Sequence, residues 1–197
     1  MNEIRTVCVY CGSADGRDPA HLAAATDLGR RLARERIGLV YGGGDVGLMG
    51  AVARAVLAHG GHVTGVIPEF LERREIMLKE AQELLVVPDM HTRKRLMYER
   101  ADAFVALPGG VGTLEELVEQ LTWVQLDQHR KPVLIADLGG FWRPLLELFA
   151  HMRRTGFIRA GFEVRYLVAE RVDEIIPMLR AAAGRTKAEP KALSPEL

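Results

Sequence analysis

Short apolar runs alternate with amphipathic stretches along the chain, a pattern typical of repeated β-α units. Most of the apolar runs are hydrophobic at odd and even positions alike, as expected of strands that helices cover on both faces of a parallel sheet. The predicted strands are residues 4–10, 37–41, 62–67, 84–87, 103–107, 132–136 and 164–169. The predicted helices are residues 19–35, 47–59, 91–101, 113–127, 142–154 and 172–183. This alternation predicts a doubly wound α/β fold, with a mostly parallel sheet of about seven strands between two layers of helices.

Two segments interrupt the alternation. Residues 68–83 are charged and lack a clean period, so they are predicted to form a long loop with about one helical turn. Loops of this length in a compact domain are often lids or binding segments. From Gly184 onward the chain is polar and interrupted by prolines, with too little apolar surface to order it. We therefore expect one α/β domain over residues 1–183 and a flexible tail over residues 184–197.

The composition is that of a globular protein with a complete hydrophobic core. The 197 residues are 48% hydrophobic and 26% charged, and a domain of this length needs no disulfide or metal to support its core. The 26 basic residues balance the 26 acidic ones, so no net field attracts a polyanion and we expect no nucleic-acid partner. No apolar run approaches the roughly 20 residues that span a bilayer, and the N-terminus lacks the pattern of a signal peptide. We expect no membrane partner and a cytoplasmic protein.

Cys8 and Cys11 form a C-x-x-C pair, which raises the alternative of a redox dithiol. A reactive pair places its first thiolate at a helix N-terminus, where backbone N–H groups lower its pKa. Cys8 instead lies inside a predicted strand, and a loop separates Cys11 from the next predicted helix. The sequence therefore favours a structural role for both thiols.

Three glycine-rich turns follow the first, second and fifth predicted strands. We name them the first turn (residues 11–16), the second turn (residues 42–47) and the third turn (residues 108–113). Ligands of open parallel sheets bind beyond the carboxyl ends of the strands. Glycine lets backbone N–H groups close around an anion at a helix N-terminus. Each turn alone is weak evidence, but three at one sheet edge predict a shared phosphate-binding crevice.

Two other nucleotide motifs fit this sequence less well. Gly42, Gly44 and Gly47 have the G-x-G-x-x-G spacing of a dinucleotide site. The acidic residue expected about 20 residues later would be Glu69, which comes late and after a proline, so a nicotinamide enzyme stays a minor alternative. The third turn lacks the Lys-Ser/Thr that ends a Walker motif, which disfavours nucleoside triphosphate hydrolysis.

Charged residues flank the third turn. Glu115 and Glu116 lie near the start of the following helix and point about 100° apart, so they can hardly play the same role. A carboxylate beside a phosphate site is suited to stabilising positive charge on a sugar or to activating water. A basic cluster over residues 91–95 opens the preceding helix. Cations oppose the dipole at a helix start, so the cluster indicates an anionic partner about as readily as a solvated surface.

These residues carry a family resemblance. The segments from Met90 to Lys94 (MHTRK) and from Pro108 to Glu116 (PGGVGTLEE) resemble the paired motifs M-H-x-R-K and P-G-G-x-G-T-x-x-E of the LONELY GUY family, and the similarity extends over nearly the whole chain. It implies a homodimeric phosphoribohydrolase that uses no metal or organic cofactor. The bond cleaved would be the N-glycosidic bond of adenine-type nucleoside 5′-monophosphates, either cytokinin riboside monophosphates or AMP. Older labels call such proteins lysine decarboxylases, but this sequence offers no specific pyridoxal-phosphate lysine motif.

The resemblance also implies roles for individual residues. Glu116 would be the catalytic carboxylate that stabilises an oxocarbenium-like ribose and orients water, and Arg93 would position substrate or assist departure of the base. The third turn would hold the 5′-phosphate through its N–H groups and the Thr113 hydroxyl, and Glu115 would bind the ribose hydroxyls. The remaining expected substrate contacts are Gly12, Ser13, Gly43, Glu75, Lys94, Gly109, Gly110, Val111, Gly112, Leu114 and Thr122.

A second class of function stays open at this point. A non-catalytic carrier of a nucleotide or of the molybdenum cofactor could use the same glycine turns, and it would bind without turnover and tolerate loss of Glu116. The presence of both Arg93 and Glu116 favours the enzyme. The sequence leaves open the physiological substrate, the choice between a dimer and a higher assembly, and the role of residues 68–83 in base specificity.

Overall fold

The computed structural model describes residues 4–72, 77–159 and 161–185. The strands in this part of the chain are β1 (Thr6–Tyr10), β2 (Gly38–Tyr41), β3 (Val63–Pro68), β4 (Glu83–Val87), β5 (Ala103–Ala106), β6 (Val133–Ala136) and β7 (Leu167–Ala169). The helices are α1 (Pro19–Arg34), α2 (Gly47–Ala58), α3 (Glu69–Glu72), α4 (Met90–Arg100), α5 (Val111–Gln125), α6 (Arg143–Arg154) and α7 (Val172–Arg185). A 3₁₀ turn over Leu138–Gly140 precedes α6.

Local sequence signals start these helices. The Asp18 carboxylate accepts a hydrogen bond from the Ala20 N–H at 2.9 Å and caps α1. Asp89 caps α4 in the same way, accepting from the Thr92 N–H at 2.7 Å. Helix α5 begins after Gly110, which has no side chain to cap it. The first N–H groups of α5 are therefore available to a ligand.

The strands form one parallel sheet in the order β4-β3-β2-β1-β5-β6-β7. Strand β1 pairs with β2 on one side and with β5 on the other, in a register that sets Val7 beside Leu39 and Ala103. The chain winds outward from β1 in both directions, so the order reverses between β1 and β5. In open α/β sheets such a reversal leaves a crevice beyond the carboxyl ends of the two strands.

The sheet separates two hydrophobic layers. Along β1 and into the first turn, Val7, Val9 and Cys11 face one layer, whereas Cys8 and Tyr10 face the other. Helices α1, α2 and α7 cover the first face, and α4, α5 and α6 cover the second. Both faces of the central strands are buried, which explains why these strands are apolar at nearly every position.

The fold predicted from the hydrophobic pattern is confirmed. Every predicted strand and helix is present, with ends that differ by no more than three residues. The loop predicted over residues 68–83 contains the one-turn helix α3, and its residues 73–76 lie outside the described part of the chain. Helix α7 continues through Arg185, and residues 186–197 also lie outside the described residues, so the flexible tail stays a prediction. None of the described helices is both long and apolar enough to cross a membrane.

Candidate active site

A cleft opens beyond the carboxyl ends of β1 and β5, where the strand order reverses. Its volume is about 450 Å³. The first and third turns and helices α2 to α5 supply its walls. The lining residues are Cys11, Gly12, Ser13, Met49, Phe70, Leu71, Met90, Arg93, Gly110, Val111, Gly112, Thr113, Glu115 and Glu116. A crevice is therefore present at this edge of the sheet, lined by two of the three glycine turns, and phosphate binding there stays a prediction.

Backbone contacts hold the three turns together. The Gly12 N–H donates to the Pro108 carbonyl at 3.1 Å, and the Met49 N–H donates to the Gly12 carbonyl at 3.2 Å. Gly47 has a φ of +62°, and a Cβ there would overlap the backbone of Ser13 and Ala14. Only glycine fits this position, because the first turn packs directly on the second. The second turn thus supports the crevice from behind.

The third turn presents the N-terminus of α5 to the cleft. A Cβ at Gly109 would overlap the Thr113 side chain and come within 2.9 Å of the Gly12 nitrogen, so the turn can close this tightly only with glycine. Thr113 is buried beneath the turn, whereas Val111 and Gly112 are exposed at the start of the helix. Unpaired N–H groups and the positive end of a helix dipole together favour a phosphate at this place.

Arg93 and Glu116 form a buried ion pair in the cleft. The Arg93 Nη2 lies 3.3 Å from the Glu116 Oε1, and the two side chains are 11% and 10% exposed. The guanidinium passes directly over Gly42, where a Cβ would overlap Nη2. The other terminal nitrogen of Arg93, Nη1, lies 3.7 Å from the Met90 Sδ. The second turn, α4 and α5 thus fix the position of this pair jointly.

Burial makes the Glu116 carboxyl a much weaker acid than an exposed glutamate. Removal from water raises the pKa of Glu116 to about 7, and the adjacent Arg93 guanidinium offsets the effect of burial only in part. Among the smaller effects, Glu115 and Glu119 raise this pKa further, and Lys94 lowers it. A carboxyl that titrates near neutrality beside a cation in a cleft is typical of a catalytic group.

Lys94 bridges two carboxylates on α5. Its Nζ lies 2.7 Å from the Glu115 Oε1 and 2.9 Å from the Glu119 Oε1. The Lys94 side chain is 13% exposed. Lys94 is not itself a lining residue of the cleft. It is connected to the cleft through Glu115, which is one.

The structure brings most of the predicted site residues together. Those that line the cleft are Gly12, Ser13, Arg93, Gly110, Val111, Gly112, Thr113, Glu115 and Glu116. Gly109 lies against Thr113 just beneath them. Four others are not part of the lining: Lys94 is held by Glu115 and Glu119, Gly43 packs toward Ile67, Leu114 packs on the hydrophobic core, and the Thr122 hydroxyl donates to the Val118 carbonyl at 2.8 Å. Glu75 lies outside the described residues.

Sequence reasoning missed the apolar part of the cleft. Met49, Met90, Phe70 and Leu71 add hydrophobic surface beside the charged pair. Phe70 lies on the one-turn helix α3 and is 52% exposed. The available signal was a phenylalanine in an otherwise charged segment, because a large apolar side chain in such a loop often contacts a partner or ligand.

Neither thiol of the C-x-x-C pair has the environment of a redox centre. Cys8 and Cys11 are buried free thiols that lie on opposite faces of the sheet. Burial raises the pKa of both thiols far above their usual range, and buried thiols of high pKa are inert. The structural role favoured by the sequence fits this geometry.

Comparison with solved structures shows the same fold in other proteins. The molybdenum cofactor carrier protein from Chlamydomonas reinhardtii superposes with a TM-score of 0.70 and 20% identity, over 92% of this chain and 99% of that chain. The molybdenum cofactor binding protein from Rippkaea orientalis gives a TM-score of 0.68 and 21% identity, over 92% of this chain and 98% of that chain. At such identities the likeness concerns the Rossmann-like fold alone.

A family model described as "Possible lysine decarboxylase" matches residues 49–179. Amino-acid decarboxylation of that kind uses pyridoxal phosphate bound to a lysine. The cleft lining described above contains no lysine, and the nearby Lys94 ammonium is held by two carboxylates. The residues present therefore do not fit that cofactor. Nor does any cluster of three or more His, Cys, Asp or Glu side chains in the described ranges have the arrangement of a metal site.

Curated relatives match at higher identity. The chain is 45% identical over 181 residues to a probable cytokinin riboside 5′-monophosphate phosphoribohydrolase (LOG4) of Oryza sativa, covering 92% of this chain and 79% of the relative. It is 50% identical over 157 residues to the cytokinin riboside 5′-monophosphate phosphoribohydrolase LOG7 of Arabidopsis thaliana, covering 80% of this chain and 72% of the relative. This chain therefore belongs to the LONELY GUY family of cytokinin riboside 5′-monophosphate phosphoribohydrolases.

Proposed function

We propose that this protein hydrolyses the N-glycosidic bond of adenine-type nucleoside 5′-monophosphates, releasing the free base and ribose 5-phosphate. The observation that carries the proposal is the Arg93–Glu116 pair, buried in a cleft whose other wall is the open N-terminus of α5. One end of the cleft suits an anion and the other suits a developing sugar cation. The names of the curated relatives support the same reaction.

The 5′-phosphate would occupy the N-terminus of α5. Gly110, Val111 and Gly112 line the cleft there, and the Thr113 hydroxyl lies just below. The N–H groups at a helix start bind phosphate without a cationic side chain. We expect Gly12 and Ser13 of the first turn to close the site from the opposite side.

Bond cleavage would develop positive charge on the ribose. The C1′–N bond breaks with its electron pair going to the base, and the Glu116 carboxylate stabilises the oxocarbenium-like ribose. Glu116 also orients a water molecule, whose oxygen bonds to C1′ and whose proton ends on the departing base nitrogen. Arg93 holds Glu116 in place and assists departure of the base. Glu115, at the mouth of the cleft, would bind the ribose hydroxyls.

The apolar wall indicates where the base lies. Met49, Met90, Phe70 and Leu71 provide hydrophobic surface suited to a purine. AMP and prenylated adenine nucleotides are both candidate substrates, and residues 68–83, which include Phe70, would influence the choice between them. We expect Gly43, Lys94, Gly109, Leu114 and Thr122 to act mainly by supporting this site. Glu75 stays a proposed substrate contact, on the family resemblance alone.

We further propose that the protein works as a cytoplasmic homodimer. Val111, Val118 and Thr122 share one exposed face of α5, because they are seven and four residues apart, or about two turns and one turn. Leu126, just after the helix, is also exposed, and the Gln125 side chain donates to the carbonyl of the exposed Phe162 at 2.8 Å. A second copy covering this face would border the cleft, because α5 begins there.

The experiment is a chromatographic assay of base release. The purified protein is incubated with AMP and with isopentenyladenosine 5′-monophosphate, alongside Glu116→Gln. Base released by the wild type and lost in Glu116→Gln supports the hydrolase and ranks the two substrates. Tight binding of nucleotide with no release would contradict the proposal and favour the carrier function.

A further inference from the structure

Three ion pairs, made by two neighbouring cations of α4, lie side by side between α4 and α5. Arg93 pairs with Glu116, and the next residue, Lys94, pairs with both Glu115 and Glu119. Glu115 and Glu119 are four residues apart on α5, so one ammonium group can bridge them across one helical turn. The bridge fixes the beginning of α5, which carries Glu116, against the beginning of α4, which carries Arg93.

The contacts of Lys94 do not resemble those of a substrate ligand. Its Nζ makes ion pairs with two carboxylates, at 2.7 and 2.9 Å, and its side chain is only 13% exposed. The ammonium would have to leave both partners to reach a nucleotide in the cleft. Glu119 also has a buried Oε2 for which the described chain provides no hydrogen-bond partner. Without Lys94, both oxygens of that carboxylate would be left without a cation.

The titratable groups around Glu116 come from α4, α5, β1 and the first turn. Arg93 and Lys94 face it from α4, and Glu115 and Glu119 lie beside it on α5. Cys8, Tyr10 and Cys11 face it from β1 and the first turn. These three groups are neutral at pH 7, because burial raises the pKa of each. Burial has the largest effect on the ionisation of Glu116, and the balance between two cations and two neighbouring carboxylates adjusts it further.

We propose that Lys94 is a positioning residue for the hydrolysis proposed above: it neutralises Glu115 and Glu119, and so keeps Glu116 ionised and aligned with Arg93. The proposal rests on the proposed function, and it assigns to Lys94 a role other than substrate contact. Its effect passes through Glu116 and should be visible in the pH dependence of turnover.

The test is the pH profile of kcat and kcat/KM for Lys94→Met. Loss of the ammonium leaves two unneutralised carboxylates near Glu116, so its ionisation requires a higher pH. We expect the acid limb of the kcat profile to move up by about one pH unit, which lowers kcat at pH 7 about fivefold. KM should change by less than about twofold. Lys94→Arg, which retains the charge, should restore most of the activity.

Glu119→Gln provides an independent test of the same proposal. Removal of this carboxylate should move the acid limb to lower pH, opposite to the effect of Lys94→Met. In the double variant the two shifts should largely cancel, because both act through the same charge balance. Arg95→Met is the matched control: it removes the next cation of α4, whose side chain is 65% exposed and lies 4.0 Å from Glu99. It should leave the profile unchanged.

The contrary outcomes are distinct. A large increase in KM for Lys94→Met, with an unmoved acid limb and no compensation by Glu119→Gln, would make Lys94 a substrate contact and overturn the proposal. An unmoved limb with unchanged kcat would overturn it as well. If Lys94→Met does not fold, Glu119→Gln and Lys94→Arg still carry the test. An inactive wild type would instead count against the proposed function.

Discussion

The Arg93 guanidinium lies 3.3 Å from the Glu116 carboxylate at a point where Gly42 leaves room for it. The two side chains come from neighbouring helices, and the glycine comes from the turn after β2. Gly42, which has no side chain, thus determines where the Arg93 guanidinium lies. Because Nη2 is the far end of a flexible side chain, a Cβ at this position would displace the guanidinium and leave the fold intact.

Gly42→Ala should therefore lower activity without unfolding the protein. We expect kcat/KM to fall about 10- to 100-fold, the effect of misplacing a catalytic group by roughly an ångström. Gly38→Ala, at the start of the strand that precedes Gly42, is the matched control, because its Cβ would come no closer than 3.6 Å to any neighbour. Thermal melting curves for both variants separate the two effects. A Gly42→Ala enzyme of normal activity would show that the position of Arg93 is unimportant.

The buried Glu116 should make the protein less stable at alkaline pH. Its pKa is about 7 in the folded chain and close to 4.3 when unfolded. The raised value means that this group stabilises the fold below about pH 4 and loses that contribution as the pH rises through 7. Glu116→Gln mimics the protonated acid and lacks this dependence. Relative to the wild type, it should gain up to about 3 kcal/mol in unfolding free energy between pH 5 and pH 8.

Urea unfolding of both proteins at pH 5 and pH 8, at one protein concentration, measures that difference. Other titrating groups are common to the two chains and cancel in the comparison. If the two unfolding free energies change in parallel with pH, Glu116 is not destabilised by ionisation in the fold.

The thiols should be unreactive in the native state. Cys8 and Cys11 are buried on opposite faces of the sheet, and burial raises the pKa of both. Native protein should take up a maleimide label far more slowly than protein in guanidinium chloride. Diamide treatment should produce no intramolecular disulfide, and base release should be unaffected. Rapid labelling of either thiol in the native protein would revive the redox alternative.

The exposed face of α5 should control assembly. Val118→Lys would place a charge in the proposed contact between two copies, and light scattering coupled to size exclusion should show monomers. Val86→Lys is the control: Val86 is similarly exposed, at 44% against 39% for Val118, but lies on the edge strand β4. A monomeric Val118→Lys variant beside a dimeric Val86→Lys variant would support the proposed dimer. A monomeric wild type would contradict it.

The sequence predicts the fold well and the site only in part. Strands buried on both faces give apolar runs such as residues 103–107 that cannot be mistaken for loops, so the strand positions follow directly. The glycine turns mark the crevice because glycine is needed there by geometry. The sequence does not predict ion pairs such as that of Lys94 with Glu119, because they depend on how α4 packs beside α5. The apolar wall was missed because Met49 and Phe70 are distant in sequence and meet only in the fold.

The most direct test of the central claim is the fate of oxygen during turnover. AMP and isopentenyladenosine 5′-monophosphate are each incubated with the enzyme in water enriched in ¹⁸O, and the products are analysed by mass spectrometry. The proposed hydrolysis predicts, from at least one of the two, the free base and ribose 5-phosphate that carries one ¹⁸O atom and its original phosphate; a rapid quench limits exchange at the anomeric position. Release of inorganic phosphate with an intact nucleoside, or the absence of any product from both nucleotides, would contradict it.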